Sequence, residues 1–342
     1  MITKGQAAVI GGDKDSPAEG TMRAVVQDGY GTADVLRVAQ VPRPTIRDRE
    51  VLVRVHAAGL DRGTWHVMAG YPYAVRLALG LRRPRQPVPG HDVAGTVVAV
   101  GADVTRFAVG DEVFGMASGS FAEYAAARED KLALKPPGLS FAQAAAVPVS
   151  GGTALQALHD AGRVGAGQQV LVIGASGGVG TFAVQLARAA GATVTGVCSA
   201  AKTELVSGLG AEQVLDYARD DFADGTRHWD LIVDIGGNPS LARLRRALTP
   251  TGTAVIVGGE GAGSLTGLGR QLRAVLVSPF VRQRLTMLAA RERATDLERL
   301  RELIEAGSVT PSLDRTYPLE EAAEAMRHLV AGDVRGKVAI TV

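Results

Sequence analysis

The run Gln169-Val170-Leu171-Val172-Ile173-Gly174-Ala175-Ser176-Gly177-Gly178-Val179-Gly180, continued by Thr181-Phe182-Ala183-Val184-Gln185-Leu186-Ala187, leaves this chain few folds to choose from. A short apolar run, a glycine cluster and a resumption at helical spacing spell a buried strand, a tight turn and a helix start. Gly177 and Gly180 stand three apart. At that spacing one glycine lets a phosphate reach the backbone and the other lets the helix lie close on the strand. Free N–H groups at the helix start, aided by the helix dipole, hold a pyrophosphate. The strand and helix context favours a dinucleotide site at Gly174, Ser176, Gly177, Gly178, Val179 and Gly180 over a merely structural glycine turn.

The rest of the chain fits an α/β, doubly wound parallel sheet joined to a second, β-rich unit. Apolar runs at Met22–Val26, Val35–Val41, Glu50–Ala58, Val93–Val100, Asp111–Gly115 and Ser120–Ala125 are bounded by glycines and prolines. They predict an antiparallel, barrel-like domain with few helices. The character changes at Ser140, which with Gln143 three positions on forms a capping-box pattern. From there strands at Val170–Ile173, Thr193–Cys198, Gln213–Asp216, Leu231–Asp234 and Ala254–Val257 alternate with helices at Thr181–Ala190, Lys202–Leu209 and Ser240–Ala247. Beyond these come a strand at Leu285–Ala289, a helix at Asp296–Ala306 closed by Gly307, a helical Pro318–Leu329 and a strand at Lys337–Val342.

Several function classes are excluded at this level. The chain has 342 residues and a formal charge of +2, with basic and acidic residues balanced along its length. A nucleic-acid footprint needs clustered basic residues, so no nucleic-acid partner is expected. No segment approaches the roughly 20 apolar residues that span a bilayer, so no membrane partner is expected. Cys198 is the only cysteine, which rules out an intrachain disulfide and fits a reducing, cytoplasmic setting. The polar first twenty residues read as a leader before the fold, since Ala7–Ile10 is too short for a signal-peptide core.

The residue ending the second strand of a dinucleotide fold meets the adenosine ribose. A carboxylate there favours NAD, whereas its absence beside a cation admits a 2′-phosphate. Here the chain reads Val197-Cys198-Ser199-Ala200-Ala201-Lys202, without a carboxylate. Ser199 offers a hydrogen bond and Lys202 a charge, so NADP(H) is the expected cofactor. The alternative is a helix-capping serine and a solvated lysine.

With these motifs in hand the chain resembles the medium-chain dehydrogenase/reductase superfamily, in its zinc-independent quinone oxidoreductase-like branch. The resemblance is carried by Gly90-His91-Asp92-Val93-Ala94-Gly95, Val109-Gly110-Asp111-Glu112-Val113-Phe114-Gly115, Gly119-Ser120-Phe121-Ala122-Glu123-Tyr124, Asp234-Ile235-Gly236-Gly237 and Gly336-Lys337-Val338, besides the glycine loop. It implies a GroES-like catalytic domain from residues 21–143 and 291–342, with a Rossmann domain inserted at 144–290. It also implies that Thr153, Gly258 and Lys337 lie along the cofactor, Lys337 toward the pyrophosphate, and that Tyr217 flanks the 2′-phosphate. A homodimer pairing through the Leu285–Ala289 edge strand is expected by the same analogy.

The zinc-dependent cousins use a cysteine, a histidine and a second cysteine around a catalytic metal. Asp61 stands at the first of these positions here, His91 at the second and Val149 at the third, so no metal is expected. Without a Lewis acid, hydride transfer suits an acceptor that polarises itself, such as a quinone or an α,β-unsaturated carbonyl. Two groups could serve the polar end of the cleft. Asp61 faces substrate in relatives, or else caps the helix beginning near Thr64. Tyr71 resembles a tyrosine near substrate in related enoyl reductases, or is an ordinary loop tyrosine. His66 and Tyr73 are weaker candidates. The Tyr71–Pro89 segment, with Arg76, Arg82, Arg83 and Arg85, forms either a substrate-side lid or a surface excursion. The expected activity is an NADPH-dependent reductase of quinones or activated C=C bonds. A zinc-free carbonyl reductase and an NADPH-binding protein without turnover are the alternatives.

Overall fold

The computed structural model describes residues 20–258, 267 and 269–342, so the expected leader falls outside the described residues except for Gly20. In chain order the strands are β1 (Thr21–Val26), β2 (Arg37–Pro42), β3 (Glu50–Leu60), β4 (Asp92–Val100), β5 (Glu112–Met116), β6 (Tyr124–Arg128), β7 (Leu132–Leu134), β8 (Gln169–Ile173), β9 (Thr193–Cys198), β10 (Gln213–Asp216), β11 (Trp229–Asp234), β12 (Leu248–Ile256), β13 (Arg284–Met287), β14 (Leu313–Pro318) and β15 (Lys337–Thr341). The α-helices are α1 (Arg62–Ala69), α2 (Val75–Leu79), α3 (Phe141–Ala145), α4 (Pro148–Gln156), α5 (Gly178–Ala189), α6 (Thr203–Gly208), α7 (Leu241–Ala247), α8 (Gly269–Val277), α9 (Ala294–Glu305) and α10 (Ala322–Ala331). None of the described helices is long and apolar enough to cross a membrane.

Strands β8 to β13 form one six-stranded sheet in the order β10-β9-β8-β11-β12-β13, and every pairing is parallel. Val170–Ile173 are buried without interruption, as a strand covered on both faces must be. The chain winds outward from β8 to β10 and then returns to the other side of β8 as β11. That reversal opens a crevice beyond the carboxyl ends of β8 and β11, where ligands of doubly wound sheets bind.

A second sheet takes the order β14-β15-β3-β4-β5-β7, with β6 also paired to β3, while β1 and β2 make a separate antiparallel ribbon. Its pairings are antiparallel except β14 with β15. β15 lies against β3, so the end of the chain completes the sheet begun near its start. The junction is helical: Ser140 caps α3 through Gln143 N–H at 3.2 Å, and the Gln143 side chain returns the bond to Ser140 N–H at 3.0 Å. One buried cluster runs from Ala57, Ala94 and Phe114 through Ala144 and Leu158 to Val170 and Phe182, so both sheets share a core.

Several expected boundaries move. Val35 ends a short 3-10 turn and β2 starts at Arg37. The expected Ser120–Ala125 strand appears instead as Tyr124–Arg128, because Ala122 only bridges Ala24 while the ladder with β3 begins at Tyr124. Helix α5 starts at Gly178 rather than Thr181, its first turn being built from the glycines themselves. The 318–329 helix divides into the end of β14, a 3-10 turn at Leu319–Glu321 and α10.

Candidate active site

Gly174 leaves β8 with φ of 86°, and a Cβ there would stand 3.1 Å from Gly236 N beyond β11. The two strand ends therefore touch at the crevice. Gly177 caps α5, and a Cβ on it would meet only Gly174 O at 3.6 Å, so its outer side is open to a ligand. At Gly180 a Cβ would lie 2.1 Å from Gly174 O and 2.7 Å from Ala175 Cα, so only glycine lets α5 close onto the loop. The N–H groups of Gly178, Val179 and Gly180 fall in the first helical turn, where no intrahelical carbonyl is available to them. This cradle fits a pyrophosphate.

The floor of the loop comes from elsewhere. Gly336 N–H donates to Ser176 O at 2.9 Å, and a Cβ on Gly178 would strike Lys337 Cδ at 2.9 Å and Ser150 Oγ at 3.0 Å. Thr153 lies on α4, half-buried, three positions beyond that serine.

At the rim, Ser199 occupies a cap position without using its side chain as a cap. Tyr217 N–H donates to Cys198 O at 3.1 Å, so its backbone adjoins the residue before Ser199, and its side chain is exposed. The neighbouring carboxylate, Asp216, is turned into its own turn, accepting from Ala218 N–H at 3.1 Å and lying 3.7 Å from Arg219. Lys202 Nζ donates to Gly332 O at 2.7 Å and Val334 O at 2.9 Å, so two carbonyls hold the expected phosphate ligand. A second cation was not foreseen: Arg335 Nη2 reaches Ala201 O at 3.1 Å. Its only sequence signal was its place beside Gly336-Lys337.

Deeper in, Lys337 is 2% exposed, and its ammonium lies 3.1 Å from Asp92 Oδ2 and 3.9 Å from Asp61 Oδ2. Asp92 is wholly buried and also accepts from Val149 N–H at 2.9 Å. Burial pushes its carboxyl up to about 6, against the pull of Lys337. Asp61 Oδ1 caps α1, accepting from Thr64 N–H at 2.8 Å, while Asp61 Oδ2 has no hydrogen-bond partner among the described residues. Lys337 therefore passes the pyrophosphate cradle with its stem and ends between two carboxylates.

Zinc does not fit these donors. Val149 offers only its backbone, one Asp61 oxygen is spent on a helix cap, and an ammonium already accompanies Asp92. No three His, Cys, Asp or Glu side chains form a metal-holding group among the described residues. His91 is half-buried, and its carbonyl accepts from Ala117 N–H at 2.8 Å.

Tyr71 is 37% exposed and its hydroxyl lies 2.9 Å from that of Tyr73. That bond pushes the Tyr71 phenol above its ordinary range. His66 Nδ1 lies 2.9 Å from Tyr71 O, so the two weaker candidates flank the stronger one. The long loop contains α2, with Arg76 over the Tyr30 and Tyr73 rings. A Cβ on Gly267 would meet Pro72 Cγ at 2.9 Å, which brings this loop against Gly267.

On the opposite wall Gly258 leaves β12, and a Cβ there would stand 2.2 Å from Ile235 O. Asp234, ending β11, is wholly buried, and burial pushes its carboxyl up to about 6 despite its ion pair with Arg270. A raised value means the folded protein keeps a proton that the unfolded chain releases above pH ~4. Stability contributed here is thus lost as pH rises from ~4 to about 6, and is level beyond. Against Asp234→Asn, wild type should lose roughly 3 kcal/mol of relative stability across that window in urea unfolding. A flat difference would refute the shift.

Residues 47–137 match the family described as alcohol dehydrogenase GroES-like domain, and residues 209–340 the family described as zinc-binding dehydrogenase. The chain is 33% identical over 338 residues to 2-methylene-furan-3-one reductase of Solanum lycopersicum, covering 93% of this chain and 79% of that protein. Among solved structures it resembles the quinone oxidoreductase from Coxiella burnetii at 31% identity and a TM-score of 0.83, over 94% of this chain and 99% of that one. It shares the fold of the Escherichia coli quinone oxidoreductase complexed with NADPH, at 24% identity and a TM-score of 0.80, over 94% and 100% of the two chains.

Proposed function

Because the chain belongs to the medium-chain dehydrogenase/reductase superfamily, as an enzyme of its quinone and enone oxidoreductase branch, we propose that it transfers hydride from NADPH to a quinone or activated C=C bond without zinc. One observation carries the cofactor choice. The end of β9 presents a Ser199 whose hydroxyl makes no cap bond, with Lys202 and Arg335 nearby, and the adjacent Asp216 is engaged in its own turn.

Bound NADPH would supply the hydride. The start of α5 would hold its pyrophosphate, Gly177 allowing the approach, and Ser199, Lys202, Arg335 and Tyr217 would face the 2′-phosphate. Thr153, Gly258 and Lys337 would line its length. A self-polarising acceptor then needs positioning, exclusion of water and a proton. Tyr71 is the exposed donor for the oxygen that gains charge. Asp61 contributes through Lys337, whose ammonium offsets the two carboxylates.

The division into residues 21–143 with 291–342 and residues 144–290 belongs to this reading. So does a homodimer: β13 is an edge strand, and the exposed Leu272, Leu276 and Phe280 lie just before it. Buried, unpaired Cys198 fits a reducing compartment and hence the cytoplasm.

The test follows cofactor oxidation with quinones, enones and simple aldehydes, with and without chelator. Turnover of quinones or enones, unchanged by chelator, is expected. Charge-assisted bonds to the 2′-phosphate should favour NADPH over NADH by roughly tenfold to a hundredfold. Ser199→Asp should reverse that preference. Tighter NADH binding by the wild type would sink the cofactor assignment.

A further inference from the structure

The crevice walls beyond β11 and β12 are two chain segments, 235–239 and 257–258, leaving neighbouring parallel strands. Among the described residues, backbone bonds tie them at their roots alone: Val257 N–H donates to Asp234 O at 2.9 Å and Gly258 N–H to the same oxygen at 3.4 Å. Beyond that point, among the described residues, one side chain joins them. Arg270, near the start of α8, ion-pairs through Nη1 with the wholly buried Asp234 carboxylate and donates from Nη1 to Pro239 O at 3.2 Å. Its Nη2 donates to Gly258 O at 3.1 Å.

We infer that Arg270 is a positioning residue for the nicotinamide end of the cofactor, setting the separation of the two strand exits on either side of it. The inference rests on the cofactor reading above, and on Gly258 lying along that cofactor. The chemistry requires arginine. A planar fork can aim one nitrogen at a carboxylate and the other at a carbonyl, whereas a lysine ammonium is a point charge with no second nitrogen to span both exits. Gly258 lies close against the first exit, since a Cβ on it would stand 2.2 Å from Ile235 O. The side chain is 18% exposed, so these bonds are shielded and strong for their kind.

The test separates the two ends of the cofactor. NADPH carries the nicotinamide; adenosine 2′,5′-bisphosphate carries only the adenosine and its 2′-phosphate. Arg270→Lys keeps the charge beside Asp234 and so limits the loss of stability, while Arg270→Gln removes it. Thermal unfolding fixes a temperature at which both variants are folded. There, Arg270→Lys should weaken NADPH binding by roughly tenfold, the worth of one lost charge-assisted bond. Binding of the bisphosphate should stay within about twofold of wild type, and kcat should fall more than KM for the acceptor rises. The inference is overturned if Arg270→Lys binds both ligands as wild type does, or if it loses both in equal measure. Wild-type protein that binds neither nucleotide would overturn the cofactor reading itself, and the inference with it.

Discussion

Gly180→Ala is expected to abolish binding of the proposed cofactor. The added carbon would sit 2.1 Å from Gly174 O and 2.7 Å from Ala175 Cα, and both neighbours are backbone that cannot rotate away. Relief requires α5 to lift from β8, which moves the first-turn N–H groups out of the cradle. Overpacking of this kind costs about 1–3 kcal/mol even where side chains can yield, and more is expected here. Gly177→Ala is the control, since its Cβ would meet nothing closer than 3.6 Å. It should fold with near-wild-type stability and be impaired only where the ligand must approach. Calorimetric titration with NADPH, alongside thermal unfolding, distinguishes the two. Equal behaviour of both variants would refute the division of labour between these glycines.

Lys337→Met should be the most destabilising single change in the buried cluster of Lys337, Asp92 and Asp61. It leaves Asp92 with no counterion at zero exposure, and Asp61 3.9 Å from where the cation stood. Removing one member of a buried pair costs about 3–5 kcal/mol, because the remaining charge is stranded. For a unit of this size that is a fall of roughly 10 °C in Tm. Lys337→Met combined with Asp92→Asn should recover a large part of the loss, since the stranded charge goes with the carboxylate. A single variant as stable as wild type would show that the pair does not stabilise this centre.

How much of this was legible beforehand follows from the range of each interaction. The glycine loop and the strands of the parallel sheet could be read because the apolar runs and the turn are local, and Val170–Ile173 of the central strand β8 are buried without interruption. The capping box at Ser140 is equally local. Helix α4 escaped notice because Pro148-Val149-Ser150-Gly151-Gly152 has poor intrinsic helicity, and tertiary packing overrides it. β14 escaped because Leu313–Pro318 is mostly exposed and shows no alternation. Lys337 was placed along the cofactor by resemblance, but its carboxylate partner Asp92 lies 245 positions away, beyond any spacing rule. Asp61 was legible as a helix cap for the opposite reason, since Thr64 is its third neighbour. Arg270 carried no signal at all: its three acceptors meet only once the sheet exists.

The bond between Gly336 and Ser176 also bears on how the protein is made. A ribosome releases the glycine loop and all of β8 well before it releases Gly336 and Lys337. The parallel sheet can form on the emerging chain, but the loop lacks its Gly336 contact and β3 lacks its β15 neighbour until residues 336–341 arrive. Closure between such distant segments is the slow, entropically costly part of folding. The glycine loop is therefore completed by a segment some 160 residues further along the chain, and the crevice cannot be finished before that segment is made.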